Sequence, residues 1–286
     1  MSWTPPDLSD RVAVVTGASR GVGKGIAVVL GECGATVFVT GRSSRAAGVA
    51  ARTVEDAADE VTARGGRGIP VVTDHTDDDQ VEALFHRVRT EAGRLDLLVA
   101  NAWGGYENYD YRLFGLPFWE QPIERFDTMV RAGLRSHLTA CRAAAPLLLD
   151  QGSGLIVLTG GWDDSTRYLG NVPYDLVKNA TSRLVTAMAH ELRPHGVAVV
   201  GVYPGFTRTE LVVDAFASGG EEPPPHAHSP ELVGRAVAAV AADPDVRSLS
   251  GSGAQAATYA GRYGFTDVDG RSFDPFVMPD ESRLEP

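Results

Sequence analysis

The sequence predicts an α/β fold in which a doubly wound parallel sheet of about seven strands lies between layers of helices. Three observations predict it: apolar, β-branched runs recur along the chain, amphipathic segments of helix length separate them, and a glycine cluster follows the first run. Short continuous apolar runs suit strands buried on both faces of a parallel sheet. Right-handed crossovers between such strands open a ligand crevice at their carboxyl ends.

Taken in order, Val12 to Thr16 reads as the first strand. Glycines at 17, 21 and 23 follow, then a helical stretch to about Cys33, Gly34 as its stop, and a second strand from Thr36 to Thr40. Further strands are expected at Gly68 to Val72, Leu95 to Ala100, Gly154 to Thr159 and Val197 to Tyr203, each after an amphipathic segment. The last long helix pattern before the sixth strand starts near Tyr174 and runs to Leu192. Gly219 to Pro230 is rich in proline, glycine and acid and is expected to be a mobile loop over the crevice. No internal repeat or linker divides the chain, so one domain over 1–286 is expected.

Composition removes several classes of function. With 26 basic and 37 acidic residues the net charge is -11, which opposes binding to nucleic acid or anionic membrane. The two cysteines, Cys33 and Cys141, sit in helix-like patterns without CxxC or metal-ligand spacing and read as buried thiols in a reducing cytosol. Met1 to Asp10 shows no basic-then-apolar signal, and no later apolar run has the length of a membrane span. A cytoplasmic protein is expected.

The glycine cluster reads Thr16-Gly17-Ala18-Ser19-Arg20-Gly21-Val22-Gly23 and stands between a strand and a helix. There Gly17 allows a tight turn, while Gly21 and Gly23 let backbone N–H groups and the helix N-terminus approach a pyrophosphate. An NAD-selective enzyme would carry Asp or Glu at the end of the second strand. This chain has Arg42 there, with Arg20 and Arg45 nearby, and guanidinium groups match a 2'-phosphate in forked geometry. NADP(H) is the cofactor inferred; the alternative for Arg42 is a solvated charge at the sheet edge. Asp74 is placed to accept from the adenine amino group, and Asn101-Ala102 to line the adenine ribose. Tyr174 and Lys178 are four apart, one turn from each other on one helix face. A nearby ammonium favours the phenolate, and moving a phenol from about 10 to about 7 needs roughly 4 kcal/mol of differential interaction. Such a tyrosine exchanges protons near neutral pH.

With these pieces in place the chain resembles the classical short-chain dehydrogenase/reductase family over roughly residues 9 to 265. The matching motifs are TGASRGVG at 16 to 23, ANA at 100 to 102, YDLVK at 174 to 178 and PGFTRT at 204 to 209. GLRSH at 133 to 137, NVPY at 171 to 174, HELRPHGV at 190 to 197 and RYGFTDVDGR at 262 to 271 resemble the dehydrogenase/reductase member 1 subgroup. The resemblance implies a three-layer Rossmann fold, a homodimer or homotetramer, and NADPH-dependent reduction of carbonyls on small or medium organic molecules. It also implies roles: Tyr174 as general acid, Lys178 on the nicotinamide ribose, and Pro204, Gly205, Thr207 and Thr209 around the carboxamide. It implies a substrate lid over about 210 to 230 as well; the polar, proline-bearing tail over 266 to 286 either wanders or reaches a neighbouring subunit.

Two catalytic positions depart from the family pattern. The serine expected thirteen residues before the tyrosine is Gly161, and the asparagine expected ahead of the GLR segment is Arg131. Loss of such a donor commonly costs about a hundred- to a thousandfold in rate, so Ser165, Thr159 or the Gly161 N–H become candidate replacements. Two readings of Arg131 stand: a second positive charge close to Lys178, or a side chain turned outward or paired with Asp127. The departures leave two alternatives beside ketone reduction, namely redox-neutral chemistry such as isomerisation, dehydration or cyclisation, and a catalytically weak NADP(H)-binding sensor or scaffold. Trp162 and Trp103 are candidate substrate contacts. Tyr106, Tyr109, Tyr111, Phe114, Phe118 and Trp119 either wall an apolar pocket or pack a long insertion. His226 and His228 lack a third ligand in the sequence and are read as polar lid residues, with no metal expected. His137 is assigned to capping or packing.

Overall fold

The computed structural model describes residues 3–105, 113–161 and 167–277. Seven strands form one sheet: β1 (Val12–Val15), β2 (Thr36–Gly41), β3 (Arg67–Val72), β4 (Leu97–Ala100), β5 (Gly154–Thr159), β6 (Val197–Tyr203) and β7 (Gly253–Gln255). Their order is β3-β2-β1-β4-β5-β6-β7, and every neighbouring pair is parallel. The winding reverses between β1 and β4, which opens the crevice at the carboxyl ends of those strands. The strand positions expected from sequence hold to within one or two residues. β7 escaped because it is short, half-buried and carries no apolar run.

Alternation along the strands sends successive side chains to opposite faces. Ala13 and Val15 join the core beneath helices α1 (Gly21–Glu32), α2 (Val54–Ala63), α8 (Pro230–Ala242) and α9 (Ala256–Tyr263). Val12 and Val14 join the opposite core, under α3 (Asp78–Ala92), α5 (Ser136–Gln151) and α6 (Val172–Leu192). Two shorter helices complete the set, α4 (Ile123–Met129) and α7 (Glu210–Ser218), and a single π-helical turn, Val130–Arg135, joins α4 to α5. Cys33 and Cys141 are free and buried; burial pushes both thiols up to about 12. Among the described residues no helix is long and apolar enough to cross a membrane.

One sequence expectation is corrected. The end of the 219–230 segment is anchored: Ala227, His228 and Ser229 are buried. His228 N–H donates to Phe206 O (3.1 Å), Arg208 N–H donates to His228 O (2.8 Å), and Ser229 N–H donates to Asp267 Oδ2 (2.8 Å). Backbone pairing with the stretch after β6 overrides a composition that reads as loop. The early part of the polar tail is likewise held, with Thr266 and Asp267 buried and the Gln255 amide paired to the Phe276 backbone at 2.8 and 2.7 Å.

Candidate active site

The glycine turn is built against the ends of β1, β4 and β5. Thr16 Oγ1 accepts from Asn101 N–H (2.8 Å) and Ala102 N–H (2.9 Å), while Asn101 Nδ2 donates to Thr16 O (2.9 Å) and Gly17 O (3.2 Å). Thr159 Oγ1 donates to Asn101 Oδ1 at 3.2 Å. Asn101 is therefore a staple across the ends of β1, β4 and β5, and Thr159 is engaged with it. Gly17 holds φ at +64°, and a Cβ at Gly23 would lie 2.3 Å from Gly17 O. Only glycine lets α1 seat this close to the turn. Ser19 is buried, Val22 half-buried, and Arg20 exposed at the start of α1. Such a cradle fits a dinucleotide pyrophosphate. Gly21 N–H already donates to the carboxylate of Glu210 (2.8 Å), an anion at a helix N-terminus where the macrodipole favours one. Sequence reading missed Glu210, because only the fold brings α7 over α1.

At the other end of the crevice Arg42 is exposed at the end of β2. Burial alone would raise Asp74, but donation from Thr76 N–H and Oγ1, with Arg42 and His75 nearby, holds its carboxyl below the ordinary value. Arg45 is turned away from the crevice and pairs with Asp56 (2.5 Å) and Asp59 (2.8 Å) on α2. His75 is buried 2.7 Å from Thr40 Oγ1, and burial pushes it down to about 4, so it is neutral.

The start of α6 sets Tyr174 and Lys178. Asn171 caps the helix, its Oδ1 accepting from Tyr174 N–H (3.0 Å), and Pro173 stands in the first turn. Its amide donates to Phe114 O (2.9 Å) and Gln121 Oε1 (2.8 Å), tying the chain ahead of α4 to the helix. An asparagine just before Val-Pro was a legible cap signal that the sequence reading left without a role. Tyr174 meets Trp103 edge-to-face (5.8 Å, 85°) and Phe114 likewise (5.7 Å, 63°). One turn on, Lys178 Nζ lies 5.5 Å from the Tyr174 ring centre and 3.9 Å from the centre of the Trp103 ring. Burial lowers Lys178 to about 8. Its stem lies against Gly161: a Cβ there would be 2.6 Å from Lys178 Cβ and 2.9 Å from Cγ.

Arg131 does not join this group. It is exposed and lines a shallow depression with Thr76, Asp77, Asp78, Asp79 and Arg135, in which Arg135 pairs with Asp78 at 2.6 Å. The π-helical turn puts Gly133 against Trp103 and leaves Arg131 on the outer side, so Arg131 brings no second charge to Lys178. Phe118 and Trp119 are 59% and 72% exposed. Trp162, Ser165, Tyr106, Tyr109 and Tyr111 lie outside the described residues. His137 is buried with Nε2 3.1 Å from Ala102 O; burial first and Lys178 second push it down to about 3. After β6, Pro204 O receives His228 Nε2 at 2.5 Å, Gly205 holds φ at +75°, and Thr209 caps α7 by accepting from Val212 N–H. Thr207 Oγ1 is buried with no hydrogen-bond partner among the described residues, as a hydroxyl reserved for a ligand would be. Among the described residues no three His, Cys, Asp or Glu side chains group around a metal position.

Comparison with known proteins agrees with this geometry. The family model for short chain dehydrogenase matches residues 11–218. Dehydrogenase/reductase SDR family member 1 of Mus musculus is 38% identical over 275 residues, covering 92% of this chain and 85% of that protein. Among solved structures, a short-chain type dehydrogenase/reductase from Mycobacterium marinum superposes with a TM-score of 0.71 at 29% identity, covering 87% of this chain and 94% of that one. A metagenomic short-chain oxidoreductase in complex with NADP superposes with a TM-score of 0.67, also at 29% identity, covering 84% and 93%. With its parallel sheet, its glycine turn and its Tyr174/Lys178 helix, the chain belongs to the short-chain dehydrogenase/reductase family of oxidoreductases.

Proposed function

We propose that the protein reduces a ketone, or oxidises the corresponding alcohol, on a small or medium organic molecule with NADP(H). The observation that carries this reading is Lys178 Nζ 5.5 Å from the Tyr174 ring, one helical turn away at the crevice. When bound, the nicotinamide supplies a hydride to the carbonyl carbon. Tyr174 donates its phenolic proton to the carbonyl oxygen as negative charge develops there, and the Lys178 ammonium favours the phenolate left behind. Gly17, Gly21 and Gly23 with Ser19 and Val22 would hold the pyrophosphate, Asp74 the adenine, and Pro204, Gly205, Thr207 and Thr209 the carboxamide. The intact pair weighs against a sensor or scaffold, which has no use for a tuned phenol. Redox-neutral chemistry at the same pair is the second reading, favoured by Gly161 standing where the family carries a serine. Exposed leucines on α5 and α6, Leu138, Leu149 and Leu176, support assembly into a homodimer or homotetramer, and two buried thiols suit a reducing cytoplasm.

The choice of NADP(H) rests on Arg42 and Arg20 at the adenosine end. Arg42→Ala is expected to raise the KM for NADPH at least about tenfold, the value of one charge-assisted phosphate contact, and to leave the KM for NADH unchanged. Equal effects on both cofactors would remove Arg42 from the 2'-phosphate. Glu210 competes for the Gly21 N–H, so Glu210→Ala is expected to tighten NADPH binding by about three- to tenfold, read by calorimetric titration. Unchanged affinity would show that the carboxylate yields without cost.

A further inference from the structure

The site lacks the serine and asparagine of its family, yet its lysine is held firmly. The stem of Lys178 lies in the space a side chain at position 161 would contest, and its ammonium rests 3.9 Å from the centre of the Trp103 ring. Trp103 itself occupies a prepared slot: a Cβ at Gly133 would be 2.7 Å from Trp103 Cζ3, and one at Gly105 2.7 Å from Cζ2. The same ring meets Tyr174 edge-to-face. One aromatic side chain therefore touches both members of the reacting pair.

We propose that Trp103 is the positioning residue of this site: its ring face holds the Lys178 ammonium beside Tyr174 in the room left by Gly161. This rests on the reading of Tyr174 and Lys178 as the reacting pair. The face of an indole carries negative potential and attracts a cation most strongly where water is excluded. Among the described residues, the titratable groups facing Lys178 are Tyr174 on its own helix and His137 on α5, and buried His137 is neutral. Among the described residues the ring is thus the contact that offsets burial of the ammonium. Without it Lys178 gives up its proton more readily and Tyr174 ionises less readily.

The test compares wild type, Trp103→Phe and Trp103→Leu, each with and without Tyr174→Phe. Near-ultraviolet difference titration of each pair reads the Tyr174 phenol without turnover. In Trp103→Leu the phenol is expected to ionise about one pH unit higher, with kcat for NADPH-dependent ketone reduction down about tenfold; Trp103→Phe, which keeps an aromatic face of weaker potential, is expected to fall between wild type and Trp103→Leu. Incorporating fluorinated tryptophan, which weakens the ring's potential at constant shape, is expected to shift the phenol in the same direction in wild type and to have no effect on Trp103→Phe. That measurement stands even where Trp103→Leu fails to fold. A phenol titration unmoved by both leucine and fluorination would overturn the proposal. Turnover that survives Tyr174→Phe would instead overturn the reading of the reacting pair.

Discussion

Tyr174→Phe is expected to lose about a thousandfold in kcat for ketone reduction while binding NADPH with roughly unchanged affinity. The reason is confined to one oxygen atom. Phenylalanine keeps the edge contacts with Trp103 and Phe114 and leaves the Asn171 cap on the backbone N–H in place, so the start of α6 stays folded. What disappears is the proton that neutralises the developing oxyanion, at a site where Gly161 provides no hydroxyl to share that work. Lys178→Met is expected to lose both kcat and cofactor affinity, because the proposed mechanism has the ammonium act on the phenol and on the ribose. Steady-state kinetics beside direct binding separate the two patterns.

Gly161→Ser is expected to lower activity by about ten- to a hundredfold, not to restore the family's rate. A Cβ at this position would stand 2.6 Å from Lys178 Cβ, 2.9 Å from Cγ and 3.1 Å from Cδ. The lysine stem, fixed to its helix at the near end, has to swing away, and its ammonium leaves Trp103 and Tyr174. Overpacking of this kind commonly costs about 1–3 kcal/mol, and a misplaced reacting group adds a kinetic penalty. Because the conflict starts at Cβ, Gly161→Ala is expected to be as harmful as Gly161→Ser, in both kcat and thermal unfolding. A serine variant faster than wild type would show that Lys178 relaxes freely and that the missing hydroxyl is the limiting feature of the site.

Much of this was legible in the sequence, and the reasons differ by element. The six longer strands announce themselves by β-branched runs, and the glycine turn by its position between strand and helix; both are local signals. β7, three residues long and half-buried, has no such signal. Tyr174 and Lys178 could be placed together because i,i+4 spacing is a property of the helix alone. Arg131 stayed between two readings because local geometry changes period there: the π-helical turn over Val130–Arg135 shifts the faces of the helix, and the guanidinium lies outward, the second of the two. Glu210 on Gly21 and Trp103 under Lys178 are contacts across large sequence separations, which no pattern of spacing encodes. The buried His228 within a proline-rich segment is the converse case, where tertiary pairing overrode composition.

The most direct test uses NADPH carrying deuterium at the transferable position of its nicotinamide, a panel of cyclic and linear ketones, and mass analysis of the products from wild type and Tyr174→Phe. The predicted result is one deuterium on the former carbonyl carbon in the wild-type product and almost none with Tyr174→Phe. Product formed without deuterium, or deuterium transferred equally well by the phenylalanine variant, would contradict a tyrosine-dependent hydride transfer at this site.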